Sequence, residues 1–247
     1  MERSDELTAQ AIASAYYDKR YSGWGLRFHT EVIKWMMEGI WADTHVLDAG
    51  CGTGIIGQMH PNHYIMGVDL SPEMVAQCPR DLEHQRYYIG SVTEPHEVGW
   101  PHHAMGAVVC RSLLHHLPDH KAALKVFHNA LKPGGRLVLW ETNKGWLAQQ
   151  VRRRTQHGDR FSEYHHAFGP GELEADLKEA GFVVDEIRYM GFTAYPLFGF
   201  PDIIDLAPFI PFKPLVYRAA QALDTALSGV PGVNRMAWAV GIKAHKA

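Results

Sequence analysis

The chain holds 247 residues, 46% of them hydrophobic and 11% aromatic, enough to bury one substantial core without splitting into several. A net charge of -3 and a pI near 6.6 give no general attraction for polyanions, which argues against nucleic acid as a partner and favours a small, uncharged one. Cys51, Cys78 and Cys110 form no CxxC pair and sit in apolar or glycine-rich surroundings, so reduced thiols are expected rather than a disulfide scaffold.

Residues 1–10 are polar and acidic and lack the basic start and apolar stretch of a secretory signal. Later apolar stretches are too short or too interrupted to cross a bilayer, so a cytoplasmic protein without a transmembrane segment is expected. Residues 7–17 and 27–37 read as two helices of an N-terminal cap over 1–42. Tyr16, Tyr17 and Tyr21 cluster between them, placed either to contact an acceptor or to pack in the core. Short apolar runs bounded by turn residues follow at 46–47, 65–69, 86–89, 107–110 and 136–140, the pattern of buried parallel strands. Between the last two, residues 121–131 put Ala123, Leu124, Phe127 and Leu131 on one helical face. This alternation predicts a doubly wound α/β sheet. A helix at 172–182, a sixth strand at 182–189 and a final strand at 236–243 complete a core over 43–190 and 235–247.

The most specific stretch is Val46-Leu47-Asp48-Ala49-Gly50-Cys51-Gly52-Thr53-Gly54, a strand running into three glycines at alternate positions. Lacking a Cβ, they let backbone pass close to a ligand at the strand end of a parallel sheet. Gly52-Thr53-Gly54-Ile55-Ile56-Gly57 also satisfies the dinucleotide pattern GxGxxG, which alone is weak. Asp48 separates the two readings: its carboxylate would oppose a pyrophosphate but suits the ammonium and sulfonium of S-adenosylmethionine. Asp69, closing Gly67-Val68-Asp69, is placed to accept hydrogen bonds from the ribose hydroxyls of either nucleotide.

Residues 191–234, between the last two expected strands, are too many for a hairpin loop. They open with Gly191-Phe192-Thr193-Ala194-Tyr195-Pro196-Leu197-Phe198-Gly199-Phe200-Pro201, and prolines prevent a long helix before Pro214. Beyond it, Leu215, Ala219, Ala222, Leu223 and Ala226 share one face of a helix. An inserted cap is expected over the carboxyl edge of the sheet, lining an apolar acceptor pocket with Phe198 among its contacts. The competing expectation is a homodimer contact or a shallow membrane dock.

Four segments together resemble the class I S-adenosylmethionine-dependent methyltransferases, particularly the small-molecule group called type 11. They are the glycine loop; Gly67-Val68-Asp69; Ala107-Val108-Val109-Cys110 with Leu113-Leu114-His115-His116-Leu117-Pro118-Asp119; and Leu131-Lys132-Pro133-Gly134-Gly135-Arg136-Leu137-Val138-Leu139. The resemblance is good over 43–141 and covers the chain ends poorly. It implies one Rossmann-like α/β domain with a mostly parallel seven-stranded sheet whose last strand is antiparallel. It also implies S-adenosyl-L-methionine as cofactor and S-adenosyl-L-homocysteine as product. By this resemblance Asp48, Gly50, Gly52 and Gly54 would hold the methionine part, Asp69 and Leu70 the ribose, and Met74 an adenine face. Ser91 and Val92 would border the adenine, and Cys110 would close the donor side. Ser91 stands where the family usually has an acid, and Met105-Gly106 where a Phe-Asp pair is common.

In-line methyl transfer needs alignment and, for some nucleophiles, a base. Among 16 histidines, His115 and His116 follow the fourth strand, where the related group often carries histidine for structure, while His165 and His166 lie with Tyr164 in a polar, aromatic loop; these are the candidate bases and contacts. Arg111 would orient an acceptor carboxylate or phosphate, or form an exposed salt bridge. A proline separates His60 from His63 and no Asp/Asn cluster accompanies them, so no metal is expected. The expected function is methyl transfer to an oxygen, nitrogen or carbon of a hydrophobic small metabolite. The alternative is a donor-binding accessory subunit acting through 191–234 without an acceptor site of its own.

Overall fold

A computed structural model describes residues 17–94, 99, 102–145, 167–169, 171–201 and 205–247. The expected helix at 7–17 lies outside these except for its last residue, as do Tyr16, Tyr164, His165, His166 and the Tyr17 side chain. Seven strands among the described residues form one sheet: β1 (His45–Ala49), β2 (Tyr64–Asp69), β3 (Gln85–Ile89), β4 (Met105–Arg111), β5 (Leu131–Thr142), β6 (Phe182–Met190) and β7 (Ala239–Lys246). Their order is β3-β2-β1-β4-β5-β7-β6. The pairs from β3 to β5 are parallel, and β7 runs antiparallel to both β5 and β6. The order reverses at β1, flanked by β2 and β4, and such a switch point opens a crevice beyond the carboxyl ends of the strands.

The helices among the described residues are α1 (Tyr17–Arg20), α2 (Gly23–Met37), α3 (Ile55–Met59), α4 (Pro72–Ala76), α5 (His120–Ala130), α6 (Glu172–Glu179), α7 (Ala194–Phe198) and α8 (Lys213–Ser228). Strand alternation sorts the core into two layers. Ala107, Val109, Val138 and Trp140 face one side, with Phe28, Val32, Ile33 and Met36 of α2 packed over them. Val108, Cys110, Leu137 and Leu139 face the other, against Ala123, Leu124 and Phe127 of α5 and Leu173 and Leu177 of α6. Each such buried aliphatic or aromatic side chain contributes about 1.5–3 kcal/mol.

Element ends differ from the sequence reading where local chemistry intervenes. α2 starts at Gly23 rather than at 27. Asp119 caps α5 by accepting from the Ala122 N–H at 2.9 Å, and Leu131 leaves that helix to pair with Met105. β7 starts at Ala239 because Asn234–Met236 form a 3-10 turn.

The segment 191–234 joins β6 to β7 and carries α7 and α8. The stripe of Leu215, Ala219, Ala222, Leu223 and Ala226 is exposed, with Leu215 at 69% and Leu223 at 48%. Tyr217 and Ala220 are the buried side chains of α8. Two anchors choose that face. The Tyr217 ring packs 5.4 Å from Trp24 and 5.2 Å from Phe198, centre to centre. Asp224, one helical face along, accepts from the Thr193 N–H (2.7 Å), the Thr193 hydroxyl (2.7 Å) and the Ala194 N–H (3.2 Å), fastening the start of α7.

Candidate functional site

Beyond β1 the backbone takes left-handed conformations at Gly50, Gly52 and Gly54, with φ of 70°, 54° and 74°. At Gly50 the need for glycine is also steric, since a Cβ there would meet the Leu113 methyls at 3.0 Å. The Gly50 and Cys51 N–H groups donate to the Val68 carbonyl at 2.8 and 3.0 Å, strapping the loop to β2. Asp69 finishes the fastening: Oδ2 accepts from the Gly52 N–H at 2.8 Å and Oδ1 from the Ser71 N–H at 2.9 Å. The carboxylate expected at the ribose thus also shapes the glycine loop. Leu70 follows it, half-buried.

Asp48 is buried, and its Oδ2 has no hydrogen-bond partner among the described residues. Burial pushes its carboxyl up to about 7, nearby Arg111 opposes that rise, and Asp69 adds to it. Ser91 Oγ lies 2.9 Å from Thr93 Oγ1 and accepts from the Thr93 N–H. Met74, Val92 and Cys110, expected against the donor, are buried, Val92 and Cys110 within the α5 layer of the core.

The wall opposite the loop comes from the turn after β4. Ser112 takes a φ of 55°, and Leu113 packs over Gly50. Glu141, at the end of β5 and fully buried, holds this turn from behind. Its Oε1 accepts from the Leu113 and Leu114 N–H groups, both at 2.8 Å, and its Oε2 lies 2.6 Å from His115 Nδ1. Burial pushes the Glu141 carboxyl up to about 7, against the pull of those N–H donors. His115 is therefore engaged inside the protein and does not line the cavity described next; His116 packs on it at 4.1 Å between ring centres.

Between Gly50, Gly52 and the N-terminal helices lies an enclosed cavity of about 30 Å3, edged by Arg20, Tyr21, His29, Arg111, Ser112 and Tyr195. Arg111 Nη2 donates to the Tyr21 hydroxyl, and Nη1 lies 3.4 Å from His29 Nδ1. His29 Nε2 is 3.1 Å from the Gly199 carbonyl, which can only accept, so the proton sits on Nε2 and the Nδ1 lone pair faces the guanidinium. Burial, with Arg111 and Arg20 nearby, holds the His29 pKa well below the ordinary 6.5, and the ring stays neutral. Tyr195 stacks on Phe28 at 5.0 Å and meets Trp140 edge-on at 5.2 Å. Phe198, expected at the acceptor, packs against Trp24 and Tyr217. A larger open cleft of about 490 Å3 between α2, β6 and α8 touches none of the glycine-loop residues.

Of the expected residues, the structure gathers Asp48, Gly50, Gly52, Gly54, Asp69, Tyr21 and Arg111 at one crevice. Sequence reading passed over Arg20, His29, Tyr195 and Glu141. A usable signal existed for His29: it follows Phe28 and precedes Val32 and Ile33, a polar residue within the apolar face of α2.

A methyltransferase-domain family model matches residues 17–187. The ubiquinone biosynthesis O-methyltransferase of Xanthomonas axonopodis pv. citri (strain 306) is 28% identical over 169 residues, a match covering 60% of this chain and 66% of that protein. The chain thus spans just under two thirds of that relative's length. An S-adenosylmethionine-dependent methyltransferase from Thermotoga maritima, described as a possible histamine N-methyltransferase, superposes with a TM-score of 0.65 at 16% identity, covering 97% of this chain and 99% of that one. The geranyl diphosphate C-methyltransferase of Streptomyces coelicolor A3(2), solved with Mg2+, geranyl diphosphate and S-adenosyl-L-homocysteine, gives 0.58 at 17% identity, covering 90% and 80%. At such identities the structural likeness concerns the fold.

Proposed function

The chain belongs to the methyltransferase-domain family and is an S-adenosylmethionine-dependent methyltransferase, and on that premise we propose that its acceptor is a hydrophobic small molecule bound between the glycine loop and α2. The observation that carries this reading is the convergence of Tyr21, His29, Arg111 and Tyr195 opposite the glycine loop; the space of about 30 Å3 between them is the size of one water, so the acceptor enters as the cap opens. The residues suit the donor. Asp48 offers an unsatisfied buried oxygen for its ammonium group, and Gly50 and Gly52 open the backbone beside it. Asp69, already fixed by two backbone N–H groups, has further lone pairs for ribose hydroxyls. When bound, the donor supplies a methyl group on a sulfonium, open to in-line attack.

The remaining work falls to the chain's own side chains. Glu141 and His115 hold Leu113 against the loop, so the donor pocket keeps its shape. Neutral His29 holds the Arg111 guanidinium, which in turn fixes the Tyr21 hydroxyl at the cavity edge. Arg111 and Tyr21 then orient a polar group of the acceptor, while Tyr195 and Phe28 exclude water behind it. Residues 1–42 and 191–234 act as caps on one methyltransferase domain built from 43–190 and 235–247.

The test is turnover with a panel of apolar phenols, amines and activated carbon acids, followed by S-adenosyl-L-homocysteine release. At least one class should react, and Arg111→Ala should cut turnover at saturating donor about tenfold or more, donor affinity itself also falling because Arg111 favours the ionised form of Asp48. Donor binding with no turnover across the panel would contradict the proposal and favour an accessory subunit acting through 191–234.

A further inference from the structure

We propose that the exposed apolar strip running from Phe209 to Val230 docks this enzyme on an anionic lipid surface. The strip begins at a turn stiffened by Pro208, Pro211 and Pro214, and that turn presents Phe209 and Phe212 at 83% and 81% exposure. Phe212 is held at a φ of 47°, in the left-handed region that a residue with a side chain enters only under constraint. Along α8 the strip continues through Leu215, Ala219, Ala222, Leu223 and Ala226 to Val230, all exposed. From Leu215 to Ala226 this is about 16 Å of helix lying along the surface. No helix of the described residues is long and apolar enough to cross a membrane, so the geometry is that of a segment lying in the interface.

Charge selects the occupant. Between 206 and 233 the basic side chains are Lys213 and Arg218, on the first turns of α8 beside the two phenylalanines. The single carboxylate in that span, Asp224, is turned inward onto Thr193 and Ala194; Asp205, just before Leu206, is the nearest other acid in the chain. Aromatic side chains at the tip with cations just behind them match an apolar lipid layer beneath anionic headgroups. A second copy of the chain fits less well, because the strip offers no outward-facing carboxylate between 206 and 233 to meet the partner's Lys213 and Arg218.

The strip is also coupled to the site. Tyr217, on the opposite face of α8, packs on Trp24 and Phe198, and Asp224 fastens α7, which carries Tyr195 to the cavity. A docked α8 would place this aromatic cap between the lipid and the acceptor cavity. Docking does not depend on which acceptor is used, so it is measured without turnover.

The experiment is flotation of the purified full chain with vesicles of phosphatidylcholine alone and of phosphatidylcholine mixed with phosphatidylglycerol. The chain should float with the mixed vesicles and far less with phosphatidylcholine alone. Phe209→Ser combined with Phe212→Asn should weaken that binding about tenfold or more, asparagine being tolerant of the left-handed backbone. Lys213→Gln with Arg218→Gln should abolish the preference for anionic vesicles. Unchanged calorimetric donor binding in both variants would show that they are folded. No flotation of the parent chain, or flotation that both variants leave intact, would overturn the proposal. So would a dimer in sedimentation equilibrium that the phenylalanine variant dissociates while flotation persists.

Discussion

Asp48 is kept at a cost to the unliganded protein. A carboxyl raised from 3.8 to about 7 by burial favours the fold while protonated; that contribution is whole below 3.8 and is lost as pH rises through about 7. Asp48→Asn should therefore leave stability nearly unchanged below about pH 4 and raise it at pH 8 by on the order of 4 kcal/mol, most of that appearing between pH 5 and 8, measured by urea unfolding. The same variant should bind donor more weakly, the expected trade between a strained site and stability. Asp48, Asp69 and the glycines were readable from sequence because their chemistry is local: a strand end, a turn and the next strand end. His29, Arg111 and Tyr195 form one cluster only after α2, β4 and α7 converge, and 16 histidines in the sequence hid the one that matters there.

Elements meet the site through straps rather than through their own lengths. Glu141 accepts from Leu113, Leu114 and His115, tying the turn after β4 to the end of β5. Glu141→Ala would leave three buried N–H groups without that acceptor and should cost about 3 kcal/mol or more, seen as a lower urea midpoint. Glu141→Gln keeps an oxygen for both leucine N–H groups and should cost less. If the two substitutions were equally harmless, the strap would not be what holds Leu113 over Gly50. The His115-His116 motif was visible in the sequence, but its partner lies a whole helix and strand away, so the pair read as candidate bases. The apolar stripe of α8 was legible in the sequence but not the side it faces, because Tyr217 and Asp224 find partners across the fold and turn the stripe outward.

Across the molecule, the sheet brings the glycine loop after β1 together with Tyr21, His29, Arg111 and Tyr195, which are far apart in the chain. The alternation of short apolar runs and helical faces carried the doubly wound order through β5, and the antiparallel last strand followed from the family resemblance. Helix α2 meets the last strand closely at Gly241 of β7, where a Cβ would run into the Trp35 ring and lie 2.6 Å from Met190. Gly241→Val should lower the melting transition, by about 1–3 kcal/mol of stability. Because α2 also carries His29, turnover should fall more than donor affinity in that variant. The most direct test of the whole account is calorimetric titration of S-adenosyl-L-homocysteine into the parent chain and Asp48→Asn between pH 5.5 and 7.5, where the ligand's ammonium stays charged. The account predicts that parent affinity rises with pH, approaching tenfold per unit below about 7, with a proton released on binding, while the variant binds weakly and without that dependence. A pH-independent parent affinity, or a variant that binds as tightly as the parent, would contradict it.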